Sequence, residues 1–259
     1  MKKNKLDSYT YAQLMQEIVG LCRKHKLKCE IIGTEKFEKV NQSYPIYKIS
    51  VNPKAKLKFC VIAGVHGDEI AGHFTIVELL KNPKKYLSPD INYSIFPVVN
   101  PTGFDLRKRF DDDSRDLNCL DKRTLKSKNY KEIRAFYNSL KKESFDVFIS
   151  FHEDLDQTKF YSYVFEKSKE PLYREIINSV KKTTPIWKTD KIYGNQSDQH
   201  GLIINEHDRS LEDSLYCRNM AKASLATETP GKLPLSKRIK INLANIRVIN
   251  KYLLNGKKR

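Results

Sequence analysis

The stretch from Phe59 to Leu80, FCVIAGVHGDEIAGHFTIVELL, constrains the fold of this chain more than any other. It opens as an apolar run of strand length, well short of the roughly 20 residues needed to span a bilayer. It then passes through Gly64-Val65-His66-Gly67-Asp68-Glu69 and continues as an amphipathic helix pattern. A buried strand thus delivers His66 to its C-terminal end, and the following helix opens with Glu69. The two side chains are three residues apart across a strand-to-helix turn, so an imidazole and a carboxylate can converge on one point. Zinc accepts both ligand types.

The rest of the chain supplies neighbours for that strand. Leu14, Ile18 and Leu21 repeat at helical spacing between Thr10 and His25, with Ser8 or Thr10 as the cap. Runs at Lys28–Ile32 and Ile46–Val51 read as an edge hairpin leading into the strand Leu57–Gly64. Ile91–Val99, Phe145–Phe151, Phe160–Phe165 and Ala223–Ala226 are further strands. Helices are expected over Tyr130–Lys141, Pro171–Lys182 and Leu235–Leu254. Phe104–Lys128 and Thr183–Asp213 lack apolar periodicity, and long segments of that kind inside a compact domain are usually functional or disordered.

Strands alternating with helices predict an α/β fold, a mixed and mostly parallel central sheet with helices on both faces. Ligands bind beyond the carboxyl ends of such strands. His66, Asn100, His152 and Glu228 each sit just past an apolar strand, so four polar groups gather on one rim. With no internal repeat or low-complexity linker, the expectation is one catalytic domain over 1–259, in which 1–56 gives an N-terminal helix and edge strands and 57–259 the core.

Composition narrows the partners. At 259 residues and 39% hydrophobic, the chain can bury one large core. Its five cysteines show no CxxC spacing and read as reduced thiols. No signal-like h-region or membrane-length run is seen, so the expected address is the cytoplasm, with no membrane partner. The net charge of +17 has two readings: a field that attracts anions such as acidic peptides, or a lysine-rich background, which the scatter of the lysines favours. No RNA-binding, helix-turn-helix or zinc-knuckle spacing marks a nucleic-acid protein.

His66, Glu69 and His152 form a two-histidine, one-carboxylate set that leaves the fourth position of one Zn²⁺ open to water or substrate. Zinc lowers the pKa of water and polarises a carbonyl, while a nearby carboxylate takes the water's proton. Glu228 is the natural candidate for that base.

The motifs His66-Gly67-Asp68-Glu69, Asn100-Pro101-x-Gly103, Arg109, Asp116-Leu117-Asn118, His152-Glu153-Asp154 and Thr227-Glu228-Thr229-Pro230 occur in the order of the zinc carboxypeptidase superfamily, which the chain resembles. It is most similar to the small members like murein peptide amidase, with the succinylglutamate desuccinylase and aspartoacylase branch as a cousin. The resemblance implies that His66, Glu69 and His152 hold zinc and that Glu228 is general base and then general acid. It further implies that Arg109 stabilises the oxyanion, that Asp116 orients His66, and that Asn118 helps bind the substrate.

One position departs from the pattern. Where the family commonly follows Asp-x-Asn with an arginine that clamps a terminal carboxylate, this chain has Cys119, and a thiol makes no bidentate contact. Arg107, Arg115, Lys122 and Arg123 are the possible substitutes. The leading expectation is therefore metal-dependent hydrolysis of a peptide or amide, an acidic peptide among the options, with strict carboxypeptidase action less secure. The alternatives are an N-acyl amino acid deacylase on the same site and a non-catalytic basic binding protein that retains the fold.

Overall fold

The computed structural model describes residues 9–37, 39–119, 131–141, 143–166 and 172–256. Ten strands and eight helices are seen among them. The strands are β1 (Lys28–Phe37), β2 (Gln42–Val51), β3 (Leu57–Ala63), β4 (Ile91–Phe96), β5 (Phe145–Asp154), β6 (Tyr161–Glu166), β7 (Lys191–Ile192), β8 (Asn195–Gln196), β9 (Leu202–Ile204) and β10 (Ala221–Pro230). The helices are α1 (Tyr11–Lys24), α2 (Ala71–Lys81), α3 (Pro83–Tyr86), α4 (Pro101–Leu106), α5 (Lys131–Leu140), α6 (Leu172–Val180), α7 (Leu211–Cys217) and α8 (Leu235–Gly256).

Eight strands form one sheet in the order β1-β2-β4-β3-β5-β10-β6-β9. The β4-β3-β5-β10 centre and the β6-β9 pair are parallel. β1-β2, β2-β4 and β10-β6 are antiparallel, so the sheet is mixed with a parallel core. Alternation along β3 separates the two faces. Phe59, Val61 and Ala63 join α1, α2 and α8 on one side, while Cys60 and Ile62 join Phe136 of α5 and Leu211 and Leu215 of α7 on the other. With both faces covered, the central strands are apolar on both sides, as parallel strands must be.

β3 leads through α2 to β4 on one side and has β5 on its other side. The connections therefore diverge at β3, and a crevice opens beyond the carboxyl ends of β3 and β5. The 64–70 turn and the end of β5 border it.

Several boundaries differ from the sequence reading. Thr10 is the cap of α1, through a capping box with Gln13, while Ser8 lies outside the described residues. The hairpin is longer than expected because β1 and β2 pair as far as Phe37 and Gln42, across the polar segment. α2 begins at Ala71, so Glu69 precedes the helix and faces the crevice from the turn. β5 and β10 extend to Asp154 and Pro230, because their ladder continues through the polar residues: His152 pairs with Glu228. The segment from Thr183 contains β7, β8 and β9, short strands with too few residues to show a period. Among the described residues, no helix is long and apolar enough to cross a membrane.

Candidate active site

Two glycines set the geometry of the turn after β3. Gly64 has φ +68°, and a Cβ there would lie 2.1 Å from Nε2 of His73. A Cβ on Gly67 would lie 1.9 Å from the carbonyl carbon of Gly103, so the two backbones touch. The contact brings in the loop that carries Arg109, whose carbonyl accepts from Gly67 N at 3.3 Å. Asn100 braces the same junction from beneath. Its Oδ1 accepts from Gly103 N at 2.8 Å, and its Nδ2 donates to the carbonyls of Val65 and Arg109. Asn100 is thus a fully buried tie between loops, not a group on the open rim.

His66, Glu69 and His152 converge, with ligand atoms all within 4.8 Å of one another. His66 Nδ1 lies 2.6 Å from Glu69 Oε1, His152 Nδ1 lies 3.0 Å from Glu69 Oε2, and the two Nδ1 atoms are 3.2 Å apart. All three residues are buried. The backbone N–H of Glu153 donates to Glu69 Oε2 at 3.1 Å and fixes that carboxylate.

The outward nitrogen of each ring faces a separate oxygen. His66 Nε2 is 3.1 Å from Asp116 Oδ1, and His152 Nε2 is 2.8 Å from Ser150 Oγ and 3.3 Å from Glu212 Oε1. A neutral imidazole that donates through Nε2 presents a lone pair at Nδ1. Two such lone pairs and a carboxylate would repel at these separations unless a cation lay among them, and histidines anchored through the far nitrogen are the usual metal-binding arrangement. The donor set therefore fits a borderline cation such as zinc.

The electrostatics follow from the same contacts. Burial opposes charge on both rings, yet the Glu69 carboxylate holds the His66 pKa up and the His152 pKa well up. Burial likewise works against ionised Glu69, but the two histidines outweigh it and pull its pKa down. For Asp116 burial is offset chiefly by the hydrogen bond to His66, leaving the carboxyl at about 2. Glu228 moves the other way, since burial pushes it up to about 7.

Glu228 lines the same cavity of about 420 Å³ as His66, Glu69, Arg109 and Asn118. Arg109 Nη1 reaches Glu69 Oε1 at 3.2 Å and its Nη2 lies 3.6 Å from Asp116. The neighbouring Asp111–Asp113 cluster is paired instead with Arg115 and Lys39. Asn118 donates its backbone N–H to Asp116 and accepts from Leu211 N, which links the 116–118 loop to α7.

Of the proposed stand-ins for the missing arginine, Arg107 donates to the carbonyls of Phe104 and Tyr9. Neither Arg107 nor Arg115 lines the cavity. Lys122 and Arg123 lie outside the described residues. His73 packs beneath the turn, with burial lowering its pKa to about 4, and takes no place in the cavity.

The sequence reading did not single out Glu212, Ser150 or Arg238. Glu212 lies at the end of the polar segment, where no periodicity marks it. Arg238 of α8 meets Glu153 at 2.5 Å, and Glu153 also accepts from Ala71 N at the start of α2, so this ion pair joins β5 to two helices.

Residues 55–183 match the family model of the succinylglutamate desuccinylase/aspartoacylase catalytic domain. The branch named above as a cousin is thus the one whose model the sequence meets. No curated protein matches the chain by sequence. Among solved structures, a protein from Shewanella amazonensis described as a candidate metallopeptidase superposes with a TM-score of 0.80 at 24% identity, covering 96% of this chain and 94% of its own. A similarly described protein from Shewanella baltica gives 0.72 at 25%, covering 96% and 92%. A metallo-carboxypeptidase from Burkholderia cenocepacia gives 0.68 at 16%, covering 96% and 70%. The architecture is the zinc carboxypeptidase-like α/β fold. The chain is thus similar to the zinc carboxypeptidase superfamily in sequence over residues 55–183 and in fold over nearly its whole length.

Proposed function

We propose that the chain hydrolyses a peptide or amide bond with one Zn²⁺ held by His66, Glu69 and His152. The observation that carries this reading is the convergence of three buried donor groups beside Glu228, a carboxyl whose pKa is pushed up to about 7. When bound, zinc acidifies water and polarises the scissile carbonyl. Glu228 takes the proton of the attacking water and returns it to the departing nitrogen, a shuttle that works best with a pKa near the working pH. Arg109 presents its guanidinium where charge develops on the carbonyl oxygen, held in place by Glu69 and Asp116. Asp116 accepts from His66 Nε2 and fixes the tautomer that exposes Nδ1, and Asn118 contacts substrate from the cavity wall.

A second reading keeps the site and replaces the peptide with an N-acyl amino acid, and the match to the desuccinylase/aspartoacylase model favours it. A panel of N-acyl dipeptides and N-acyl amino acids separates the two. Hydrolysis of the dipeptides, lost on chelation and restored by zinc, supports the first. Turnover confined to N-acyl amino acids supports the second, and zinc-loaded protein inert on both overturns them together.

A further inference from the structure

Three donor groups of different chemistry meet a second time, on the segment that forms part of the cavity wall. His207 Nδ1 lies 2.6 Å from Asp213 Oδ1, Cys217 Sγ lies 3.2 Å from the same oxygen, and Sγ and Nδ1 are 3.7 Å apart. None of these three residues lines the cavity around His66.

The fold holds the donors in place. Asp213 and Cys217 are four residues apart on α7 and so share a face. Asp213 is buried, and its Oδ2 accepts from Arg209 N at 2.9 Å, which turns Oδ1 towards the other two groups. The His207 ring rests against Phe165 of β6, with centroids 6.1 Å apart. His207 and Cys217 are both exposed, so an ion can reach them from solvent.

Helix capping accounts for Asp213 but not for its companions. Ser210 Oγ accepts from Asp213 N and Asp213 Oδ2 accepts from Arg209 N, so the cap is complete without Oδ1. A partly exposed histidine-carboxylate pair adds little stability. A thiol, an imidazole and a carboxylate at one point are, however, the ligand types of a borderline divalent cation. In a tetrahedral zinc site nitrogen and sulfur ligands stand about 3.5 Å apart, which the Cys217 contacts already approach. The exposed His207 ring has to withdraw from Asp213 by less than about 1 Å. The local field also suits a cation: residues 206–213 carry Glu206, Asp208, Glu212 and Asp213 against Arg209, in a chain that is basic as a whole.

We propose that His207, Asp213 and Cys217 form a second metal site, for zinc or a cation of like chemistry, and that the bound ion braces the cavity wall. On binding, a metal–sulfur bond replaces the S–H bond of Cys217 and the proton leaves to solvent, while His207 binds as a neutral imidazole with its proton on Nε2. Asp208, Ser210 and Glu212 line the cavity, and the ligands flank them in sequence, so the ion closes the 207–217 segment around that part of the wall. With three ligands at the surface the site holds zinc more weakly than the buried set, and desalting leaves zinc at His66, Glu69 and His152 alone. The inference stands on its own donors and does not depend on the hydrolytic reading.

The test titrates desalted, reduced protein with Co²⁺ and reads the thiolate-to-cobalt charge-transfer absorption in the near ultraviolet. His66, Glu69 and His152 include no thiol, so cobalt bound there gives no such band. The expected result is a band that saturates with a single Co²⁺ per chain, is lost in Cys217→Ser and survives in Cys119→Ser. His207→Ala, on the exposed side of the site, weakens cobalt binding by about tenfold or more, since even an outer partner of a ligand is worth that much. Glu69→Ala, which removes a ligand of the first site, keeps the band, so failure of the hydrolytic reading leaves this result unchanged. Absence of the band, its persistence in Cys217→Ser, or equal affinity in wild type and His207→Ala overturns the site. The brace is read by amide hydrogen exchange: protection of residues 208–212 rises on adding Co²⁺ to wild type and not to His207→Ala. A band without that protection overturns the brace.

Discussion

At the scale of single residues, Glu228 is defined by its neighbours more than by its own type. Six other carboxylates line the same cavity, and burial pushes the pKa of Glu228 up to about 7. The pH dependence follows with a definite sign. As pH falls through the pKa of Glu228 the carboxyl gains a proton and can no longer accept one from water, so kcat/KM falls on the acid side. A cation held by His66 and His152 favours the ionised form, which places the midpoint of that limb at or below about 7. A pH profile of kcat/KM whose activity rises as the medium becomes more acid through this range would contradict the assignment. His66, His152 and Glu228 were legible in the sequence because each follows or extends an apolar strand, and Glu69 because it stands three residues after His66 in the strand-to-helix turn. Glu212 was not, because its role depends on a contact across 60 residues that no local pattern encodes.

At the scale of elements, the strand-turn-helix unit around His66 was readable from the change of period along Phe59–Leu80. The start of α2 was misplaced by two residues because Glu69 is held outward by the Glu153 N–H and cannot join the helix. The ends of β5 and β10 were also cut short: sequence patterning stops at the polar residues, while backbone hydrogen bonding does not. The attachment of α8 was invisible, since nothing local pairs Arg238 with Glu153. Both side chains are largely buried, so removing one leaves an unpaired charge inside the protein. Arg238→Ala is expected to destabilise the fold by about 3 kcal/mol, read as a lowered denaturation midpoint in urea. At the turn, Gly64→Ala meets both a positive φ and the His73 ring, and is expected to cost about 2 kcal/mol or more by the same assay.

At the scale of the whole molecule, the sheet divides the chain into two packed faces and leaves the crevice at the end of β3 and β5 as the place where loops from distant parts of the sequence meet. His66 and His152 are 86 residues apart in sequence, yet their Nδ1 atoms are 3.2 Å apart in space. A cation bound there ties β5 to the turn after β3 and stabilises only the folded state. At a free zinc concentration 100 times the dissociation constant this amounts to about 2.7 kcal/mol, and the thermal midpoint rises by several degrees. Differential scanning fluorimetry should show the rise with zinc and its reversal on chelation. Both effects should be lost in Glu69→Ala.

The most direct measurement of the central claim is a paired determination of zinc stoichiometry and turnover in the wild-type and Glu228→Gln proteins on the substrate that the dipeptide panel identifies. The account predicts one zinc per chain in both, with turnover in the variant reduced by about 100-fold or more. Full turnover by a zinc-loaded Glu228→Gln protein, or wild-type activity that persists with no metal bound, would contradict it.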